Sequence, residues 1–340
     1  MKALFAISAA LACLLAAALS GGGPEPVRIV NWRYDLTENV EVFDRVPERV
    51  VSTNGSATEL LLALGLEDRM VGTAYLDNPP LPEHLEAYNR IPVLSKRYPH
   101  KETVLFLEPD LLVGWHSAFA PQTLGDPSRW NELGVWTFIL RDSAGLPRKL
   151  ENIRDDIRDL GRIFRIEDRA EAILLDMRKR MAVMSEKAGG RDGKKLRVMI
   201  LECMPGYRLR VWGDDSTPGQ MLLAIGAENV FPKTGDQNRE SIAAANPDAV
   251  IFIYMDSALE DTLKLARDFK TDRILKYVKA SGDDRMGLVP LSETYCPEVR
   301  VVAGMERMSR ILFPDEWDGG APGPGETLPP TGSLGAAGGI

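Results

Sequence analysis

Aromatic and arginine side chains follow several short apolar runs, at the points where the runs end. Aromatic faces bury flat ligands, and the planar fork of an arginine binds carboxylates or phosphates. Side chains that follow the strands of an open α/β sheet face its ligand site. The candidates for ligand contact are Tyr75, Trp115, His116, Arg141, Met204, Arg208, Trp212, Tyr254, Tyr295 and Arg300. For any one of them, a packed ring or a surface ion pair is an equally good interpretation.

The motifs that mark many enzymes on α/β folds are missing from the sequence. It has no Gly-x-Gly-x-x-Gly turn after a strand, no Gly-x-x-x-x-Gly-Lys-Ser/Thr loop and no Gly-x-Ser-x-Gly elbow. Cys203 could be a nucleophile, but no histidine is placed to activate it by a recognisable pattern. We therefore predict that the chain is not an enzyme and needs no resident cofactor.

The histidines give no pattern typical of a metal site. The chain has three, His84, His100 and His116, and none forms a His-x-His or joins a Cys-x-x-Cys arrangement. His116 could contact a metal inside a chelate, although a hydrogen-bonded loop histidine is the favoured interpretation. We predict no protein site for a bare metal ion.

Two carboxylates occupy equivalent places in the two halves of the chain. Glu102 and Glu240 each stand seven residues before a Pro-Asp dipeptide and a predicted strand. Residues 58–68 and 219–229 also share one form, an apolar helix closed by glycine before the chain continues. Two matches in the same order predict two lobes of like topology.

The elements that must position these residues are short strands alternating with helices. This alternation predicts mostly parallel sheets that are covered on both faces, and hence an α/β fold. Between the two alternating regions, apolar residues recur at spacings of three and four from 146 to 188, with a break near Ile166. One lobe is therefore expected on each side of a long helical region.

Both ends of the chain differ from its middle. Residues 1–20 have the layout of a signal peptide, with a basic start, an apolar run and small residues at the end. A buried first helix is the alternative. Residues 319–340 are rich in Gly and Pro and are expected to form a disordered tail. Within that tail, Leu328 to Gly332 resembles a sortase sorting motif. The apolar segment and basic end that such a motif requires do not follow it in this sequence, so either the match is accidental or the chain is truncated, and we draw no conclusion from it.

Charge and cysteine content narrow the class of protein further. A net charge of −8 over 340 residues argues against nucleic-acid binding, which depends on Lys and Arg at phosphates. Export would leave Cys203 and Cys296 in the mature chain. In an oxidising compartment they could pair, and two separate buried thiols are an equally good expectation.

The sequence resembles the substrate-binding proteins of ABC importers for iron-siderophores, haem and cobalamin. The resemblance covers roughly residues 40 to 315. It is carried by six segments in order, which are individually loose but specific as a set: Pro47-Glu48-Arg49-Val50-Val51, Ala57-Thr58-Glu59-Leu60-Leu61, Ala63-Leu64-Gly65, Val71-Gly72-Thr73-Ala74-Tyr75, Glu108-Pro109-Asp110-Leu111-Leu112-Val113 and Asn246-Pro247-Asp248-Ala249-Val250-Ile251.

This resemblance implies an architecture. It implies two Rossmann-like lobes at residues 27–165 and 195–315, joined by one long α-helix at 168–188, with the ligand cleft between the lobes. A single rigid helix between lobes predicts a small closure on ligand binding. Tyr75 and Trp115 match positions where the family often places an aromatic ring against the ligand.

The resemblance also implies partners. Glu102 and Glu240 match the glutamates that dock onto arginines of the importer's permease. The expected protein is an exported monomer, periplasmic or associated with the cell surface, that delivers a metal chelate to this permease. A ferric siderophore is the first expectation and a corrinoid the second. Haem, a small cofactor precursor, or a role as a surface receptor or scavenger without a permease are the alternatives.

Overall fold

The computed structural model describes residues 25–76, 78–145, 147–189, 195–282 and 285–317. The predicted signal peptide at 1–20 and tail at 319–340 lie outside these residues. The strands are β1 Val27–Trp32, β2 Glu38–Phe43, β3 Val50–Ser52, β4 Met70–Ala74, β5 Val93–Ser95, β6 Leu111–Gly114, β7 Trp136–Ile139, β8 Arg197–Met204, β9 Arg208–Val211, β10 Glu228–Asn229, β11 Gly235–Gln237, β12 Ala249–Tyr254 and β13 Met286–Pro290. The helices are α1 Gly55–Ala63, α2 Leu85–Tyr88, α3 Lys101–Phe106, α4 Pro127–Asn131, α5 Leu150–Ile163, α6 Glu167–Gly189, α7 Thr217–Ala224, α8 Arg239–Ala245, α9 Leu259–Thr271, α10 Lys279–Gly282 and α11 Val301–Leu312.

The first lobe is built on a parallel sheet of β3 to β7. Its strand order is β5-β4-β3-β6-β7, so the chain leaves the central strand β3 in two opposite directions. Strands β3 and β6 are uninterrupted apolar or small runs whose residues are all buried. Such runs are typical of parallel strands that are covered on both faces.

The second lobe has a mixed sheet in the order β11-β9-β8-β12-β13, with β10 pairing alongside β8. Strands β8, β10, β12 and β13 are parallel to one another. Strand β9 runs antiparallel to β8, and β11 runs antiparallel to β9. The predicted α/β class with two lobes is confirmed. The antiparallel part of this sheet was not predicted.

The sequence reasoning also missed a hairpin of β1 and β2 that packs on the first lobe. The side-chain amide of Asn31 exchanges two hydrogen bonds with the backbone of Ile139, at 2.8 and 3.1 Å. Nearby, buried Glu41 accepts from the Thr137 hydroxyl at 2.8 Å, and burial raises the pKa of Glu41. These side chains satisfy the outer edge of β7, which would otherwise offer unpaired backbone groups.

Helix α6 is the continuous element between the two lobes. It follows α5 after a break in which Arg165 has a φ of +59°. It packs closely on α5, because a Cβ at Gly161 would lie 2.6 Å from the Cβ of Ala170. On the other side, Arg180 of α6 forms a bidentate ion pair with Glu306 of α11, at 2.8 and 2.9 Å.

One hydrophobic cluster runs through both lobes and α6. It includes Leu60 of the first lobe, Leu174 of the helix and Met305 of the second lobe, all fully or almost fully buried. The lobes therefore share part of their core with the helix that joins them. None of the helices in the part of the chain that the structure describes combines the length and the apolar character needed to cross a membrane.

Candidate functional site

A cavity of about 450 Å³ lies between the two lobes. Its first-lobe lining comes from within the first five residues of α1, the loop after β4, Tyr88 of α2 and the residue after β6, and its second-lobe lining comes from the loops after β12 and β13. The lining residues are Gly55, Ser56, Thr58, Glu59, Tyr75, Leu76, Asn78, Pro80, Tyr88, Trp115, Met255, Asp256, Ser257, Leu291, Ser292, Tyr295, Pro297 and Arg300.

The topology of the first sheet explains this location. Strands β3 and β6 are neighbours, and the chain turns away from them to opposite sides of the sheet. A crevice opens beyond the carboxyl ends of two strands that diverge in this way, and open α/β sheets bind ligands there. Gly55 begins α1 just after β3, and Trp115 follows β6 directly, so both reach the cavity.

Two aromatic rings form the first-lobe wall. Tyr75 and Trp115 are in edge-to-face contact, with ring centroids 5.9 Å apart. The backbone N–H of Trp115 donates to Oδ1 of Asn54 at 3.0 Å, which fixes the start of its loop. Tyr75 has a φ of +50°, an uncommon conformation for a residue with a side chain and one that occurs often at functional sites.

One ring from the second lobe opposes this wall. Tyr295 packs against Trp212 with centroids 5.9 Å apart, and the guanidinium of Arg148 lies 5.5 Å from its ring centre. Trp212 is held in turn by a hydrogen bond of 3.1 Å from its Nε1 to Glu202. Trp212 therefore supports the cavity wall from behind and does not line the cavity.

An ion pair crosses between the lobes at the edge of the cavity. Arg300 donates from Nε and Nη2 to the two carboxylate oxygens of Glu59, each at 2.5 Å. Arg300 also donates to the carbonyl of Pro79 at 2.6 Å, and Glu59 accepts from the backbone N–H of Leu81 at 2.9 Å. The pair thus joins α1, the loop after β4 and the segment before α11.

A second cross-lobe cluster of acids lies outside the lining. Asp142 and Asp156 of the first lobe and Glu298 of the second are fully buried. Neither carboxylate oxygen of Glu298 has a hydrogen-bond partner among the described residues. Burial, with Asp156 and Asp142 nearby, raises the pKa of Glu298 well above its usual value, and burial raises the pKa of Asp156 to about 7.

Four of the ten residues named from the sequence line the cavity. Tyr75 and Trp115 reach it from the first lobe, and Tyr295 and Arg300 reach it from the second. The structure thereby brings together side chains that are as much as 225 residues apart in sequence.

The other two first-lobe candidates have partners elsewhere. The ring of His116 stacks on Tyr34 with centroids 4.8 Å apart, and its Nε2 donates to the Tyr34 carbonyl at 2.8 Å. Arg141 forms ion pairs of 2.5 Å with both Asp156 and Asp159 on α5. Neither side chain lines the cavity.

The remaining second-lobe candidates also lie outside the lining, for reasons of topology. Met204 ends β8, but the chain then turns into antiparallel β9 instead of a loop at the cleft. As a result, Arg208 points to Asp236 of β11, with an N–O distance of 2.6 Å. Tyr254 ends β12 and packs half-buried against a separate hydrophobic cluster inside the second lobe, which includes Phe252 and Phe269, while the residues just after Tyr254 reach the cavity.

Sequence reasoning missed several lining residues, among them Glu59 and Asp256. Asp256 stands two residues after β12, so the rule that selected Tyr254 could have found it. Glu59 lies at the middle of the nine-residue helix that follows the central strand β3. Because its neighbours in α1 are apolar, the sequence predicts Glu59 as part of a helix packed in the core.

The two repeated glutamates occupy equivalent, exposed positions. Glu102 is the second residue of α3, before β6, and Glu240 is the second residue of α8, before β12. Neither forms an ion pair within the described residues. The cysteines Cys203 and Cys296 are both buried and free. Across the described ranges, no group of three or more His, Cys, Asp or Glu is arranged to hold a metal ion.

Comparisons with known proteins agree with this geometry. The sequence profile of the periplasmic binding protein family matches residues 50–285, more than half of the chain. The uncharacterised ABC transporter substrate-binding lipoprotein YvrC of Bacillus subtilis is 24% identical over 284 residues, covering 83% of this chain and 85% of its own length. A vitamin B12-binding protein of Pectobacterium carotovorum is 26% identical over 230 residues, covering 66% of this chain and 78% of its own length.

A solved structure extends the likeness to the whole architecture. The crystal structure of a periplasmic binding protein from Veillonella parvula superposes with a TM-score of 0.78 at 27% identity, covering 85% of this chain and 92% of that one. Both the profile and the superposition span the two lobes. The chain therefore belongs to the periplasmic binding protein family of siderophore, haem and cobalamin ABC importers, as an extracytoplasmic solute-binding protein and not an enzyme.

Proposed function

We propose that this protein captures a metal chelate between its lobes, a corrinoid first and a ferric siderophore second, and delivers it to an ABC permease. The observation that carries the proposal is the pair of opposed aromatic walls, Tyr75 with Trp115 on one lobe and Tyr295 on the other. Flat macrocycles and chelates bury their faces well against such rings. The cavity volume lies in the range of small-molecule sites.

Two further features support a ligand with hydrogen-bonding oxygens. Nε1 of Trp115 and Oγ of Ser292 belong to lining residues, and neither has a hydrogen-bond partner among the described residues. Buried donors without partners are costly, so a ligand that accepts from them would gain affinity. Arg300 is the remaining predicted contact, at the edge of the same cavity.

The order of the two chelates rests on a named relative. The sequence alone ranked the siderophore first. The Pectobacterium relative is a vitamin B12-binding protein and covers two thirds of this chain, which favours the corrinoid. Haem or a smaller cofactor precursor would suit the same aromatic walls and remains the alternative ligand class.

We also propose that Glu102 and Glu240 dock the protein onto its permease. Both are exposed, and they stand at the same place in the two lobes. Two carboxylates in symmetric positions suit a permease with two-fold symmetry, where they would set the encounter rate and the register. Residues 1–20 would direct export as a signal peptide. A surface receptor without a permease would have no need of this glutamate pair.

Calorimetric titration of the purified mature chain would test the ligand class. Its probes are cyanocobalamin, ferric hydroxamate and ferric catecholate siderophores, haem, and bare Fe³⁺, Zn²⁺ and Mn²⁺. We expect saturable, submicromolar binding of one chelate and none of the bare ions. No binding of any chelate, or tight binding of a bare ion, would contradict the proposal.

A further inference from the structure

The charge of the cavity depends on Glu59. Among the described lining residues the charged side chains are Glu59, Asp256 and Arg300, two acids and one base. The base is already paired, because Glu59 accepts from both Nε and Nη2 of Arg300. Asp256 accepts a hydrogen bond of 2.9 Å from Asn78, which is a neutral donor, so its charge is not balanced by that contact.

The Glu59–Arg300 pair lies within the wall and is not a surface contact. The side chains are 7% and 12% exposed, respectively. Removing one partner of a buried, bidentate pair leaves the other charge uncompensated, which is costly. A ligand carboxylate that took Arg300 for itself would displace Glu59, and the cavity would then hold the ligand anion together with two unpaired lining acids, Glu59 and Asp256. Like charges brought together at low dielectric repel strongly.

We infer that Glu59 is a specificity-determining residue, which neutralises Arg300 and so makes the cavity select uncharged or cationic chelates over polyanionic ones. This inference rests on the proposed function and adds the charge class of its ligand. Selection of this kind uses a repulsive element against the wrong ligand as well as attraction for the right one. The aromatic walls would hold either class, and Glu59 would decide between them.

The test uses four probes of different charge on the full mature chain. They are cyanocobalamin, which is uncharged; ferrioxamine B, a cationic ferric hydroxamate; haem, with two propionates; and a trianionic ferric tris-catecholate. In Glu59→Gln the amide oxygen can still accept from Leu81 and Arg300, so the variant removes mainly the charge. Glu306→Gln is the matched control, since Glu306 forms a bidentate pair with Arg180 away from the cavity.

The measured quantity is the ratio of affinities for uncharged or cationic chelates over anionic ones. We expect the native protein to favour the former, Glu59→Gln to lower the ratio at least about tenfold, and Glu59→Gln/Arg300→Gln to restore it. Arg300→Gln alone should raise the ratio, and this arm stands if Glu59→Gln does not fold. Glu306→Gln should leave it unchanged.

Three outcomes would overturn the inference while leaving the proposed function intact. They are a native preference for the anionic chelates, an unchanged ratio in Glu59→Gln, and an equal loss of affinity for every chelate in that variant, which would make the pair a structural link only. Absence of binding by all four chelates to the native protein would overturn the proposed function and the inference with it.

Discussion

Thr217 of the second-lobe helix α7 donates a hydrogen bond of 2.6 Å to Asp142 of the first lobe. The same carboxylate forms an ion pair of 3.1 Å with Arg148, and it is fully buried. This contact lies outside the cavity lining, so the lobes are joined by Thr217–Asp142 as well as by Glu59–Arg300 at the cavity edge. Two such links and a shared core resist a wide opening of the cleft.

A small closure on ligand binding is therefore expected. Helix α6 packs on both lobes, and within the described residues no strand passes from the sheet of one lobe into the sheet of the other. The radius of gyration from small-angle scattering should change by less than about 1 Å when a chelate binds. A decrease of several ångströms would show that the lobes move as hinged bodies.

Replacing Trp115 by alanine should weaken ligand binding selectively. The ring forms part of the aromatic wall, and burying a large apolar side chain contributes about 2 kcal/mol, or roughly thirtyfold in affinity. Calorimetry with the chelate that the native protein binds would measure the loss. Trp136→Ala, on the far edge of the first sheet, is the control and should keep native affinity; equal losses in both variants would point to general disruption.

Charge reversal at the repeated glutamates should separate transport from binding. Glu102→Arg combined with Glu240→Arg is expected to abolish uptake of the chelate by cells that depend on this protein, because it places positive charges where permease arginines would dock. Chelate affinity in solution should stay unchanged. Glu186→Arg, an exposed site on α6, should leave uptake intact. Native uptake by the double variant would favour a receptor that works without a permease.

The buried acids predict a pH dependence of stability. The pKa of Glu298 is raised by burial and by Asp156, so the folded state holds a proton that the unfolded state releases above about pH 4.3. The free energy of unfolding should therefore fall as the pH rises from about 5 toward 7. The titratable groups that interact with Glu298 are Arg141, Asp142, Asp156 and Cys296.

Glu298→Gln should make this slope shallower without abolishing it, because Asp156 contributes to the same pH interval. One proton fewer in the folded state removes about 1.4 kcal/mol per pH unit from the dependence. Urea denaturation at a series of pH values would measure it. An unchanged slope in the variant would mean that Glu298 is ionised in the folded protein. Asp156, whose pKa is raised to about 7 in the folded protein, also holds a proton that the unfolded state releases, so a slope of the same sign should remain in the variant from about pH 4 to about pH 7.

Gly114 should tolerate no side chain. A Cβ there would lie 1.7 Å from Oγ1 of buried Thr53, so Gly114→Ala must shift β3 or β6 and is expected to cost about 1–3 kcal/mol of unfolding free energy. Because Trp115 is the next residue, chelate affinity should fall as well. Gly235→Ala is the matched control, since nothing lies within 4 Å of a Cβ at that position. Equal stability of the two variants would contradict this account.

The two-lobe fold was predictable from the sequence because the spacing of apolar residues predicts the helices and strands, and the same elements recur in the same order in both halves of the chain. Glu102 and Glu240 recur before the same kind of strand, and both lie near the start of a helix in the structure. The hairpin of β1 and β2 was missed because its strands alternate buried and exposed residues, whereas the predicted strands are short apolar runs. Side-chain amides such as Asn31, which complete a sheet edge, have no sequence signature.

The site was only partly predictable because strand ends do not tell where a side chain finds its partner. Met204 and Arg208 do not line the cavity, because the chain continues from β8 into the antiparallel strand β9. The apolar run of β8 does not indicate that an antiparallel strand follows. Arg141 follows β7 as expected, but two aspartates of α5 hold it away from the cavity. Partners of this kind lie far along the chain and become known only with the three-dimensional structure.

The continuity of α6 bears on how a permease would recognise a loaded protein. If the helix keeps Glu102 and Glu240 at a nearly constant spacing, empty and loaded molecules would present the same pair of carboxylates, at the same separation, to the permease. Empty molecules would then compete for the permease as inhibitors, and uptake would decline when the binding protein is in large excess over its ligand. A permease that distinguishes loaded from empty molecules would then have to contact the residues around the mouth of the cavity.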